Sequence, residues 1–87
     1  MKIRRHKSFI KDFQKTRLTD GQFEKLISYL NALRTDITLP AESKEHSLQG
    51  NYADCREFHL GGDMLVIYLV GDEITLLHMG THSQLFK

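Results

Sequence analysis

A chain of 87 residues has room for one domain and one core, and a domain of this size buries only somewhat more than about 60% of its unfolded surface, which excludes a deep internal pocket. Hydrophobic content of 40% and charged content of 26% are those of an ordinary folded domain and exclude a disordered chain. The net charge of +1 hides an asymmetry, because residues 1–35 carry nine Lys or Arg against three acids and residues 36–87 carry three against eight, so a polyanionic partner is expected for the N-terminal half.

In chain order, residues 2–6 are short and basic, lack the apolar segment of a signal peptide, and read as an edge strand whose charges discourage pairing with another chain. Ser8 is an expected N-cap for a first helix to about residue 17, with Phe9 and Phe13 one turn apart on its buried side. Thr19 and Gln22 form a capping box, with Leu18 positioned to staple onto Phe23. The stripe of Phe23, Leu26, Ile27, Leu30 and Leu33 then has helical spacing to about Arg34, and these residues are expected in the core. Beyond Leu39-Pro40 the chain should turn irregular, since proline removes a donor and disfavours helix before it; this loop carries His46.

Residues 52–60 read as a strand, Gly61-Gly62 as a turn and residues 63–70 as a second strand. The unbroken apolar run from Met64 to Val70 suggests a central strand covered on both faces, and it is far shorter than the roughly 18 residues of a membrane helix. Gly71-Asp72 is a hairpin signal leading to a third strand at residues 73–79. Gly80 should end it, with Leu85 and Phe86 docking on the body. The expectation is an α+β domain spanning residues 1–87, two N-terminal helices packed on a small antiparallel meander. The single cysteine, Cys55, rules out an internal disulfide and fits a cytoplasmic location.

Four histidines fall in the second half, His46, His59, His78 and His82. Imidazole exchanges a proton near neutral pH, so such a group can serve both ends of a reaction. His59 and Asp63 flank the glycine turn, where the carboxylate can orient the ring. His82 follows the last strand, and His46 lies on a loop able to fold over the same end. A metal site is not expected: His78 and His82 are four apart on a strand end and turn, where that spacing does not place both rings on one face, and neither a cysteine pair nor HExxH is present. Neither Ser47 nor Ser83 lies in a nucleophile elbow.

The segments Leu39-Pro40, Glu45-His46-Ser47-Leu48-Gln49-Gly50, Arg56-Glu57-Phe58-His59, Asp63, Tyr68 and Gly80-Thr81-His82-Ser83-Gln84-Leu85-Phe86 resemble the YafQ branch of the RelE/ParE toxin superfamily. The likeness runs over essentially the whole chain, but only the second half holds specific motifs. It implies a RelE-like fold and the toxin of a type II toxin-antitoxin pair, a cytoplasmic endoribonuclease that cuts messenger RNA in the A site of the small ribosomal subunit. The implied partners are a cognate antitoxin, the ribosome and mRNA, with DNA reached only through the antitoxin, and no cofactor or membrane. It further implies an active site at His46, His59, Asp63, His82 and Phe86. The branch usually has Arg where this chain has His78, and often Trp where it has Tyr52; an always-charged phosphate ligand is thereby exchanged for one that must be protonated.

Metal-free RNA cleavage needs a base for the 2′-hydroxyl, cations for the pentacoordinate phosphate and an acid for the leaving 5′-oxygen. His82 is assigned as acid, Asp63 or His46 as base, and His59 and Arg56 as orienting or charge-stabilising groups. Phe86 either stacks on a base or packs the C-terminus. Arg56, His78, Lys2, Arg4, Arg5, Lys7 and Lys11 are the expected RNA-binding residues. Two alternatives use the same composition: a gyrase-poisoning toxin of the ParE branch, which would not need these histidines, and a noncatalytic RNA- or protein-binding module.

Overall fold

The computed structural model describes residues 1–86. It builds β1 (Ile3–Arg5), α1 (Lys7–Lys15), α2 (Asp20–Arg34), β2 (His46–Ser47), β3 (Arg56–Gly61), β4 (Met64–Val70), β5 (Ile74–Thr81) and α3 (His82–Leu85), with 3-10 turns at Ala41–Ser43 and Gly50–Tyr52. The sheet order is β1-β5-β4-β3-β2. Strands β2 to β5 pair antiparallel, as the turn signals require. The basic N-terminal strand is an edge strand, but it lies parallel to β5, Ile3 opposite Ile74, which makes the sheet mixed.

Where β1 ends, α1 takes over the open edge of β5. His6 N donates to Leu76 O at 2.8 Å, Ser8 Oγ donates to Leu77 O at 2.6 Å, and Met79 N donates to the Asp12 carboxylate at 3.1 Å. The exposed ladder is thus satisfied by one helix, which also removes a template for strand addition. Ser8 is consumed by this bond, and the N-cap falls instead to His6, whose Nδ1 accepts from Ser8 N.

Helix α2 starts with the expected Thr19/Gln22 capping box. Gln22 Nε2 also donates to Gly61 O at 3.1 Å, tying the helix to the β3–β4 turn. The face it buries differs from the one the periodicity suggests: Leu26 and Tyr29 are buried, with Leu30 and Leu33 packed beside them, while Phe23 and Ile27 are about half exposed. At 3.6 residues per turn, Leu26, Tyr29, Leu30 and Leu33 make one stripe and Phe23 and Ile27 fall on its flank. Phe13 likewise stacks on Phe9 with ring centroids 5.9 Å apart, yet only Phe9 is buried.

The sheet carries a core on each face. Phe9, Leu26, Tyr29, Phe58, Leu60, Val66, Tyr68, Ile74, Leu76 and Met79 join it to α1 and α2, and truncating a ring such as Phe58 to Ala should cost roughly 3–5 kcal/mol. On the other face Cys55, Leu65 and Ile67 are covered by Leu48, Tyr52, Leu69, Leu77, Leu85 and Phe86. Strand β4 is therefore buried on both sides, as its apolar run predicts. β3 begins four residues later than expected, because Gly50–Tyr52 forms a turn, and Cys55 sits just before it. Burial pushes the Cys55 thiol up, away from the thiolate that a reactive cysteine needs. β5 does not end at Gly80 but runs to Thr81, and the segment expected only to dock folds into α3. No helix among the described residues is long and apolar enough to cross a membrane.

Candidate active site

Antiparallel partners standing opposite one another share a face, so the register sorts the candidate residues. His46 is opposite Glu57, Glu57 opposite Ile67, Ile67 opposite His78, and His59 opposite Leu65, which is opposite Gly80. His46, Glu57, His59 and His78 therefore project from the face that α1 and α2 leave open. Strand β4 separates β3 from β5, so the histidines of the two strands emerge about 10 Å apart, at about 4.8 Å per strand spacing.

Glu57 is the residue that sequence reasoning missed. It is 3% exposed, and its Oε2 lies 2.8 Å from His59 Nε2 and 3.4 Å from His46 Nε2. A buried carboxylate requires partners, and here it has an imidazole on either side, the two rings stacked with centroids 6.2 Å apart. Alternation along Arg56-Glu57-Phe58-His59 was the available signal, since residues two apart on a strand share a face. Glu57, and not Asp63, orients His59. Asp63 is exposed in the turn, where its carbonyl accepts from His82 N at 3.1 Å, so it fixes the start of α3 through its backbone.

His46 is held from the other side. Its Nδ1 lies 2.7 Å from Lys44 O, and only a protonated Nδ1 can donate to a carbonyl. A neutral His46 then presents a lone pair at Nε2, facing Glu57, and uptake of a proton would turn that approach into a charge-assisted contact. Lys44 turns its carbonyl this way by adopting a left-handed conformation, φ 49° and ψ 37°, uncommon without a glycine.

Arg56 is not brought to this face. It stands opposite Tyr68, on the helix side of the sheet, and its fork is committed to Glu45: Nη2 donates to Oε1 at 2.9 Å, Nε donates to Oε2, and Tyr68 OH donates to Oε2 at 2.6 Å. The hydrogen bond from Arg56 holds the Glu45 carboxyl below its ordinary value; the same carboxylate raises Arg56, and burial followed by that carboxylate raises the Tyr68 phenol. The trio anchors the residue next to His46, so Arg56 positions the loop and is not a free phosphate ligand.

His82 opens α3, whose Thr81/Gln84 capping box is complete. Its ring lies 4.9 Å from Phe86, Phe86 is edge-on to Tyr52 at 5.7 Å, and Tyr52 is edge-on to His78 at 6.2 Å. Phe86 thus packs on the second core and also supports His82. His78 Nδ1 is 2.9 Å from Asp12 Oδ2, which ties it to α1. Lys7 and Lys11 are exposed on that helix, whereas Arg4 and Arg5 pair with Thr75 and Leu76 near the far end of β5 from His82, and Lys2 precedes them. Arg4 pairs with Thr75, about 20 Å along β5 from Thr81 at roughly 3.4 Å per residue.

His46, Glu57 and His59 also bring their ligand atoms within 4.8 Å of one another. Two imidazoles and a carboxylate are a donor set that suits zinc or copper. This grouping arises from strand pairing and does not involve the His78/His82 spacing weighed in the sequence.

The fold is a small mixed sheet with two helices on one face and histidines on the opposite face. The family model described as bacterial toxin of type II toxin-antitoxin system, YafQ, matches residues 1–87, and the chain belongs to that family. It is 36% identical over 63 residues to the mRNA interferase toxin YafQ of Escherichia coli K12, covering 69% of this chain and 68% of that protein. Among solved structures, YafQ from E. coli BL21(DE3) superposes with a TM-score of 0.85 at 29% identity, covering 98% of this chain and 97% of that one. A copper-bound variant of a toxin from Helicobacter pylori gives 0.82 at 36% identity, with 98% of each chain covered. The E. coli DinJ-YafQ toxin-antitoxin complex gives 0.81 at 30% identity, covering 98% and 96%.

Proposed function

We propose that this toxin is an endoribonuclease that cuts messenger RNA in the A site of the small ribosomal subunit, by general acid-base catalysis with protein groups alone. The observation that carries the reading is the buried Glu57 carboxylate shared by His46 and His59 on the sheet face that also bears His78 and leads to His82. The likeness to an mRNA interferase supports the same substrate class.

In the proposed reaction His46 Nε2 takes the proton of a ribose 2′-hydroxyl, and the freed oxygen attacks the adjacent phosphorus. The Lys44 carbonyl holds Nδ1–H so that Nε2 is the basic atom, and the Glu57 carboxylate 3.4 Å from Nε2 favours the imidazolium that results by its charge. Charge building on the phosphate oxygens is met by His59 and His78 in their protonated forms. His82 donates a proton to the departing 5′-oxygen, leaving a 2′,3′-cyclic phosphate and a free 5′-hydroxyl. Phe86 backs His82 and offers an aromatic edge to a neighbouring base. Asp63 acts as a positioning group for α3. A cation bound by His46, Glu57 and His59 would occupy the lone pair that this route requires.

The partners that fit are a translating ribosome with its message in the cytoplasm, and a cognate antitoxin that holds the toxin inactive; the DinJ-YafQ toxin-antitoxin complex of a relative supports an antitoxin partner, and DNA would be met only through it. The test is induced expression with mapping of transcript 5′ ends. Wild type should arrest growth and cut at a fixed position within codons, and His82→Ala should do neither. Arrest by His82→Ala with intact messages and a DNA-damage response would instead favour gyrase poisoning.

A further inference from the structure

A polar cleft of about 410 Å³ lies between the C-terminal end of α1 and the edge where β4 begins and β5 ends. None of the proposed catalytic residues lines it, yet it adjoins them: Met64 and Thr81 face each other across its wall, and the bond from His82 N to Asp63 O is made one residue further on. Two cations, Lys15 and Arg17, stand on its rim, both exposed and, among the described residues, without a carboxylate in ion-pair range. The one acid in its lining, Asp12, is already engaged by His78 Nδ1 and by Met79 N. The apolar lining of the cleft is Met64, Met79 and Leu85. Unpaired cations beside apolar side chains in one cleft match a nucleotide, whose phosphate is anionic and whose base presents a flat apolar face.

Building on the nuclease reading, we propose that this cleft is a subsite for an RNA nucleotide next to the one being cut, with Lys15 and Arg17 as its phosphate ligands. The phosphate-ribose unit would come from the message or from ribosomal RNA. The volume accommodates one nucleotide, and the shared Asp63-His82 bridge sets the distance between this subsite and the general acid.

The experiment uses the full chain as Lys15→Gln/Arg17→Gln, with a thermal melt as the folding control, since both side chains are exposed. Three readings are taken: cleavage of a translated message on ribosomes, binding to a short single-stranded RNA made uncleavable by a 2′-deoxy substitution, and binding to ribosomes without message. The double variant should raise KM about tenfold at unchanged kcat, and the log-log salt dependence of RNA binding should weaken by about 0.7 for each phosphate that is no longer neutralised. Weaker binding of the oligonucleotide assigns the subsite to the message, and weaker binding of empty ribosomes alone assigns it to ribosomal RNA. Unchanged KM and unchanged binding on both would overturn the proposal. A wild type that binds the oligonucleotide but never cuts would sink the nuclease reading and leave the binding arm to judge the subsite.

Discussion

Two residues expected to meet phosphate have different fates here. Arg56 looked like a phosphate ligand, but its strand position turns it to the helix face and into the Glu45 carboxylate. His78, where the resemblance implies an arginine, lies on the open face. An imidazole is cationic only while it holds its second proton, whereas a guanidinium stays charged throughout the accessible range. His78→Arg should therefore preserve cleavage at alkaline pH where wild type fades, with little change at mildly acidic pH; a pH profile of kcat/KM for the two proteins checks this. His46, His59 and His82 stand out as candidates in the sequence because their neighbours carry recognisable motifs. Glu57 was not picked out, though the alternation that places it beside His59 was present. The Glu45-Arg56 pair was illegible, since it depends on how an irregular loop returns to a strand.

At the scale of elements, the site depends on two short pieces that have little stability of their own, the loop into β2 and helix α3. The loop is pinned by Glu45, Arg56 and Tyr68. Because the folded-state Glu45 value is depressed, its contribution is present above the ordinary carboxylate range and is lost as pH falls through the lowered value. The raised Tyr68 value works at the other end, withdrawing stability as pH climbs above the phenol's ordinary 10. Glu45→Gln should cost about 1 kcal/mol, discounted because the Arg56 side chain is 42% exposed, and lower Tm by about 4–8 °C at neutral pH. The difference from wild type should shrink in thermal melts as pH falls below the ordinary carboxylate range. Helix α3 folds back over Gly80, where an added Cβ would meet Gln84 Oε1 at 2.9 Å and Leu85 at 3.5 Å. Gly80→Ala should disturb the Thr81/Gln84 cap, cost roughly 1 kcal/mol and reduce kcat by displacing His82, as single-turnover cleavage would report. The capping box of α2 and the hairpin turns were readable from sequence because their chemistry is local. The parallel β1–β5 pair was not, because it joins the two ends of the chain and has no local signature.

For the whole molecule, the sheet divides labour between its faces: α1 and α2 cover one, and the other carries the histidines that the proposed reaction uses. That division was anticipated for β4, whose apolar run showed burial on both sides, and missed for α2, where a broad apolar stripe offered two neighbouring faces and packing chose one. The same face also holds a candidate metal ligand set, and the proposed route gives it a definite consequence. A chelator should leave cleavage intact, and added copper or zinc should slow it by occupying His46, with activity recovering on chelation; rates across a metal titration report this. Proton abstraction by His46 is tested by single-turnover cleavage on ribosomes programmed with a message carrying one 2′-deoxy nucleotide at the cut position. If His46 draws a proton from that hydroxyl, the deoxy message stays whole and the all-ribose message yields a 2′,3′-cyclic phosphate end. Cutting of the deoxy message at the wild-type rate would contradict the account.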